Sequence, residues 1–312
     1  MARRVLIAGA TGQIGRPLTQ TLVAAGDEVY GLARSEESAA RVSELGATPV
    51  RGDALDRAEV IASVAEAQPD VIVHQLTAIP TEVPNPREFT SLFGPTNRLR
   101  REATRHLVDA AAEVGTGRVL AQSIAFAYRV EGAPEIVDES GALDTGADGA
   151  FGEIVRAVSA LEEAVLSSGA GGVVMRYGML YGPDTAYSRD GALGSLVAQR
   201  RFPVVGDGAG RQPFIHLDDA LSATLALMDR GTGVYNVVDD DPARAREWVP
   251  GLAEALGAKQ PLRVPRWVAR VAAGPDAVRA MTEQRGASNT RLRTELGWEP
   301  RYPSWREGFA TL

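Results

Sequence analysis

Arg3-Arg4-Val5-Leu6-Ile7-Ala8-Gly9-Ala10-Thr11-Gly12-Gln13-Ile14-Gly15 is the stretch that decides the fold. A short apolar run ends on Gly9, two further glycines follow at Gly12 and Gly15, and Leu18, Leu22 and Ala25 then recur on one helical face. The run predicts a buried parallel strand, and the following residues a helix over 14–25 stopped by Gly26. Glycines between a strand and a helix let the backbone turn sharply and approach a pyrophosphate. The helix N-terminus adds free N–H groups and a favourable dipole. Gly9, Thr11, Gly12, Gln13, Ile14 and Gly15 are therefore the candidate phosphate cradle.

The pattern repeats outward from there. Strands are predicted at 28–33, 48–51, 71–74, 118–122 and 172–176. Helices are predicted between them: one capped by Ser35 and running to Leu45, one capped by Asp56 and running to Ala67, and longer ones over 96–114 and 152–168. Strand–helix alternation with short connections implies an α/β doubly wound parallel sheet, a Rossmann fold. After Pro183 glycine and proline become frequent and the pattern loosens, while 234–238 reads as a strand returning to the main sheet. This divides the chain into a dinucleotide-binding domain over 1–180, to which 213–238 returns, and a smaller, mostly C-terminal α/β substrate domain over 181–212 and 239–312. Trp248, Leu252 and Leu256 recur every four residues, and the four tryptophans (Trp248, Trp267, Trp298, Trp305) read as core of that smaller domain.

Composition narrows the chemistry. With 45% hydrophobic and 23% charged residues the 312-residue chain is globular in character. Its mean hydropathy is −0.10, and no apolar run approaches the ~18 residues of a membrane span. The apolar run near the start is too short for a signal-peptide core, so a cytoplasmic protein without membrane partner is expected. The absence of cysteine excludes disulfides, thiolate metal sites and a cysteine nucleophile. Only His74, His106 and His216 are present, and no metal site is expected. A net charge of −7 argues against nucleic acid as a partner. Of the 33 basic residues one is lysine, Lys259, and the rest are arginine, which fits a GC-rich coding sequence. Any mechanism needing a lysine must use Lys259.

The end of the second strand bears on the choice of nicotinamide cofactor. A carboxylate there would bond the ribose hydroxyls of NAD. Gly31-Leu32-Ala33-Arg34-Ser35 offers none, and Arg34, with Ser35 beside it, suits a 2′-phosphate, so NADP(H) is expected. Asp53 and Ala54, following the third strand, are placed to meet the adenine.

The segments GATGQIG (9–15), GDALD (52–56), VIVHQLTAI (71–79), SIAFAY (123–128), MRYGMLYGP (175–183), FIHLDDA (214–220) and ELGWEPRY (295–302) occur in the order found in extended short-chain dehydrogenases/reductases. The chain resembles that group, which includes nucleotide-sugar epimerases and dehydratases, over nearly its whole length. The resemblance implies a cleft between two domains, with Leu76 and Thr77 on the nicotinamide side and Tyr177 to Leu180 beside the cofactor. It also implies that Ser123, just past the fifth strand, is the active-site serine that hydrogen-bonds a substrate carbonyl. His216-Leu-Asp218-Asp219 is, on the same resemblance, a structural stretch opening a helix. His74 reads as packed or backbone-bonded, and Arg98, Arg101 and Arg105 as a solvated helix face.

One departure matters most. The family acid is a tyrosine with a lysine four residues on and an acidic residue four further. Counting back from Glu162 puts Ile154 and Val158 in those places, and counting from Glu163 puts Val155 and Ser159. Neither register restores the pair, and no Tyr-x-x-x-Lys exists in the chain. The proton that a reduced ketone needs must then come from another tyrosine (Tyr128, Tyr181 or Tyr187), from water, or from an acidic group on the substrate. A second departure is Gly206-Asp207-Gly208-Ala209-Gly210-Arg211-Gln212-Pro213-Phe214, where Arg211 is shifted by one from the diphosphate-binding pattern of sugar-nucleotide enzymes. Loss of the catalytic pair with retention of the cradle resembles atypical ketoreductases of aromatic polyketide pathways. The resulting expectation is an NADPH-dependent ketoreductase for a bulky aromatic polyketide ketone in antibiotic biosynthesis, acting as monomer or homodimer. The alternatives are a nucleotide-sugar epimerase or reductase and a non-catalytic NADP-sensing regulator.

Overall fold

The computed structural model describes residues 2–79 and 89–312. Its first half alternates as expected: β1 (Arg4–Ala8), α1 (Gly15–Ala24), β2 (Glu28–Ala33), α2 (Glu36–Glu44), β3 (Thr48–Arg51), α3 (Arg57–Ala67) and β4 (Val71–His74). Ser35 caps α2 by accepting from Ser38 N, and Asp56 caps α3 by accepting from Ala58 and Glu59 N. Then come α4 (Phe89–Arg98), a π-helical turn at Leu99–Ala103, α5 (Thr104–Val114) and β5 (Arg118–Ile124). The single helix predicted from 96 thus begins earlier, runs through Pro95 and is interrupted by the π turn. Local propensity does not announce that interruption.

The rest comprises β6 (Ile136–Val137), α6 (Gly149–Leu166), β7 (Gly171–Tyr177), β8 (Met179–Tyr181), α7 (Ala192–Ala198), β9 (Val204–Val205), β10 (Arg211–Gln212), β11 (Phe214–His216), α8 (Leu217–Asp229) and β12 (Gly233–Val237). It ends with β13 (Ala243–Arg244), α9 (Ala245–Ala255), β14 (Arg263–Val264), α10 (Arg266–Thr282), β15 (Gly286–Ala287), α11 (Thr290–Leu296) and α12 (Trp305–Gly308). The main sheet has the order β12-β7-β5-β4-β1-β2-β3. Every pairing in it is parallel, including the predicted return of β12 beside β7.

Such a sheet is covered on both faces, and β1 shows why its sequence is uniformly apolar. Val5 and Ile7 face a core shared with Leu18 and Leu22 of α1 and Leu227 of α8. Leu6 faces the opposite core with Val60 of α3 and Leu107 of α5. All three β1 side chains on these faces are inaccessible to solvent. A separate cluster joins Tyr181, Tyr187, Val204, Phe214, Trp248, Leu252, Met281 and Trp305. The tryptophans divide differently from the expectation. Trp248 and Trp305 lie in this second cluster, but Trp298 packs with Leu292 and Leu296 in the main-sheet core. Trp267 is 72% exposed, because the first turns of α10 lie on the surface.

Candidate active site

The strand order reverses direction between β1 and β4, and the carboxyl ends of such strands form the ligand crevice of doubly wound folds. Gly9 follows β1 with φ +96°, a conformation that favours glycine. A Cβ there would lie 2.8 Å from the carbonyl carbon and oxygen of Gln75, just past β4. A Cβ on Gly15 would lie 2.0 Å from Gly9 O, so this glycine lets α1 close on the turn. Gly12 N–H donates to Gly9 O at 3.1 Å, and Thr11, Gly12 and Gln13 are exposed at the start of the helix. Ile14 points into the core below. Gln13 Nε2 donates to Asp184 O at 3.2 Å, tying the cradle to the loop after β8. The backbone therefore fits a dinucleotide pyrophosphate.

The other expected cofactor residues surround this crevice. Arg34 is exposed at the end of β2, and among the described residues no hydrogen bond or ion pair engages its side chain. Ser35 is half-buried as the α2 cap. Asp53 is exposed, with Oδ1 accepting from Leu55 N at 2.9 Å. Ala54 is buried, and its carbonyl meets His106 Nδ1 at 3.0 Å. Leu76 is half-buried and Thr77 exposed after β4. Tyr177, expected with the residues up to Leu180 to run beside the cofactor, turns its side chain inward. Its hydroxyl accepts from Gln75 Nε2 at 3.1 Å and lies 2.6 Å from Thr224 Oγ1, deep in the core, so only its backbone can face the cleft.

Ser123 belongs to β5 itself instead of following it, and it is inaccessible to solvent. Its Oγ–H donates to Glu162 Oε1 at 2.6 Å. Glu162 also receives Arg176 Nε at 2.9 Å and Nη2 at 2.6 Å. Arg176 Nη1 in turn donates to Tyr128 Oη at 2.9 Å, and Tyr128 donates to Asn236 Oδ1 at 2.6 Å. The hydroxyl expected to meet a substrate carbonyl is thus spent inside a buried network. The same network chooses between the two registers: Glu162 is the buried acid of α6, and Glu163 is exposed. Counted back from that buried acid, the tyrosine and lysine places fall on Ile154 and Val158. They pack with Ile124 and Ala127, flanked by Phe126, Leu143 and Phe151.

Beyond β5 and the first turns of α6 a small cleft is lined by Phe126, Tyr128, Phe151, Arg279 and Gln284. The Arg279 guanidinium lies 4.7 Å from the Phe151 ring centroid and is paired with Asp144. All three tyrosines raised as substitute acids are buried, and of them only Tyr128 borders this cleft. Burial pushes the Tyr128 phenol up to about 12 and raises those of Tyr181 and Tyr187 as well. His216 caps α8 by accepting from Asp218 N, and His74 bonds Thr104 Oγ1 and accepts from Leu76 N. Arg98 pairs with Glu102, Arg101 reaches Glu153, and Arg105 is exposed. Arg211 is engaged by Glu135 and Pro242 O. The aromatic lining and the buried Arg100 had no counterpart in the sequence reading. Neither follows a motif spacing, although Arg100, unlike Arg98, has no acid three or four residues away.

A glycine-rich dinucleotide cradle at the switch point of a parallel sheet, with a cleft beyond β5, is the architecture of an oxidoreductase of the extended short-chain dehydrogenase/reductase type. Residues 5–237 match the model of the NAD dependent epimerase/dehydratase family, and the chain belongs to that family. It is 44% identical over 307 residues, 98% of each chain, to a 3-diazoavenalumate denitrifying reductase of a Streptomyces species. It is 29% identical to a 4-hydroxy-2-methyl-3-oxo-4-farnesyl-3,4-dihydroquinoline-1-oxide ketoreductase of Stigmatella aurantiaca, covering 94% of this chain and 86% of that one. Among solved structures, the UDP-glucose 4-epimerase of Thermus thermophilus in complex with NAD superimposes with a TM-score of 0.74 at 22% identity, covering 99% and 97% of the two chains. The relatives and the family make this protein a nicotinamide-dependent reductase.

Proposed function

We propose that the protein is an NADPH-dependent reductase acting on an aromatic substrate, that it contributes no proton donor of its own, and that the reducible group is an aryl diazo function. The observation that carries the reading is the apolar pair Ile154 and Val158 where the family acid would stand, fixed in register by Glu162. When bound, NADPH would supply hydride at the cleft. Addition of hydride to an arenediazonium gives an aryl diazene, which loses dinitrogen and leaves hydrogen on the ring carbon. That sequence balances without a proton from the protein, whereas a reduced ketone is an alkoxide that must be protonated. The Streptomyces relative, at 44% identity across 98% of the chain, is named for reduction of a diazo compound with loss of nitrogen.

In this reading Gly9, Thr11, Gly12, Gln13, Ile14 and Gly15 hold the pyrophosphate, and Arg34 with Ser35 takes the 2′-phosphate. Asp53 and Ala54 border the adenine, Leu76 and Thr77 the nicotinamide, and the Tyr177 backbone lines the same side. Ser123 acts as a positioning residue through Glu162. Residues 1–180 with 213–238 form the cofactor domain, and the substrate domain is drawn from 181–212 and 239–312. Phe126, Tyr128 and Phe151 supply the aromatic wall.

The ketone reading remains the second, favoured by the Stigmatella relative's name. It requires water, or a phenol or enol on the substrate, as acid, because the tyrosines here are buried. The test compares NADPH oxidation and dinitrogen release from a hydroxy-substituted benzenediazonium with and without the protein. One NADP+ and one N2 per arene, faster with protein than without, is expected. No protein-dependent rate with the diazonium, alongside turnover of an aromatic hydroxyketone, would replace the diazo reading by the ketone one.

A further inference from the structure

Arg100 is the one strongly buried arginine whose charge the site so far leaves unexplained. It lies in the π turn between α4 and α5, and the residue is only 5% exposed. Its sole side-chain hydrogen bond among the described residues is Nη1 to Asn97 Oδ1 at 3.3 Å, a long bond to a neutral acceptor. No described carboxylate pairs with it. Arg176, equally buried, shows the usual solution, a bidentate carboxylate plus a phenol. A lone guanidinium out of water carries a desolvation penalty that nothing repays. Burial pulls this guanidinium down to about 10, and together with burial its charge holds His74, at the end of β4, at about 4.

Its location says which anion is missing. The π turn packs on α6, the helix that carries Ile154 and Val158, and His74 lies at the carboxyl edge of the sheet. That is the substrate side of the crevice. The anionic groups of a dinucleotide are provided for elsewhere, by the α1 N-terminus after β1 and by Arg34 after β2. The aromatic cleft of Phe126, Tyr128 and Phe151 borders the same helix through Phe151, although Arg100 is not itself one of its lining residues.

We propose that Arg100 is a specificity-determining residue that binds an anionic oxygen, carboxylate or phenolate, on the aromatic substrate. This rests on the reading of the site as an aromatic-substrate reductase. The arginine is then kept at a cost in stability and repaid when the substrate enters.

The experiment uses the full chain saturated with NADP+ and titrates benzoate and cinnamate against their carboxamides by calorimetry. The carboxylates should bind the unmodified protein at least about tenfold more tightly, the range of about ten- to a hundredfold expected for a charge-assisted hydrogen bond. Arg100→Met should abolish that preference with NADP+ affinity unchanged, and Arg100→Lys should keep part of it. The Arg100→Met protein without ligands should unfold at the same or a higher temperature, because an unpaired charge has been removed. Equal or undetectable binding of acid and amide by the unmodified protein overturns the proposal. So does a preference that survives Arg100→Met, a parallel loss of NADP+ affinity, or a lower unfolding temperature, which would make the arginine structural. Failure of the reductase reading looks different: no protein-dependent nitrogen release, with the carboxylate preference intact.

Discussion

Replacing Glu162 by glutamine should be among the most damaging single changes in this protein. The carboxylate closes two bonds to Arg176, at 2.6 and 2.9 Å, and accepts from Ser123 at 2.6 Å. The side chains of Arg176 and Glu162 are only 6% and 7% exposed, so solvent does not screen the pair. Glutamine keeps the shape and can still accept from Ser123, but it leaves the guanidinium charge without its counter-ion. Breaking a buried pair from one side costs about 3–5 kcal/mol, a large part of the ~5–15 kcal/mol that holds a typical domain together. Urea unfolding followed by tryptophan fluorescence suits the test, since Trp248, Trp298 and Trp305 are all buried. Because the loss comes from a stranded charge and not from missing contact area, Glu162→Leu with Arg176→Met should recover most of it. A cost below ~1 kcal/mol for Glu162→Gln, or a double variant as unstable as the single one, would refute the account.

Three further outcomes follow from the same geometry. The unmodified protein should bind NADPH more tightly than NADH, and Arg34→Ala should remove most of that difference, about ten- to a hundredfold; equal dissociation constants at the outset would contradict it. The phenylalanine variants of Tyr128, Tyr181 and Tyr187 should each retain most turnover. A loss within the ~100- to 10,000-fold range of general acid catalysis in one of them, with cofactor binding intact, would identify a relocated acid. His74 is held neutral at about 4 against 6.5 for the unfolded chain, by burial and then by Arg100. The unfolded chain therefore takes up more protons between these values, and stability is complete above pH ~6.5 and falls towards pH ~4, by about 3 kcal/mol at most. His74→Gln should flatten this part of the denaturation profile, and an unchanged slope would show that the histidine is not its source.

The first half of the fold was legible because its information is local. The runs 28–33, 48–51 and 71–74 coincide with β2, β3 and β4, and Ser35 and Asp56 are the caps they were read to be. β4 is buried along its whole length, β2 buries every second residue and β3 buries Val50, so each run carries its own apolar signal, and each cap satisfies N–H groups two or three residues away. The glycine turn after β1 was readable in part for the same reason: Gly15 answers to Gly9 O within one turn, whereas Gly9 answers to Gln75, which only the neighbouring strand brings near. The missing Tyr-x-x-x-Lys was certain from the sequence, because the single lysine, Lys259, has Ala255 four residues before it.

Tertiary structure decided what depends on residues far apart in the chain. Glu162 and Glu163 are equivalent in sequence, and only the approach of Arg176 from β7 and Ser123 from β5 selects one of them. The serine after a strand could serve a substrate or a neighbour, and packing commits its one proton to Glu162. Trp298 and Trp305 are seven residues apart yet lie in different cores, because α11 docks on the main sheet and α12 on the other cluster. Arg100 lies two positions from Arg98 and one from Arg101, yet it alone is buried, in a π turn that packs against α6, a contact no local spacing encodes.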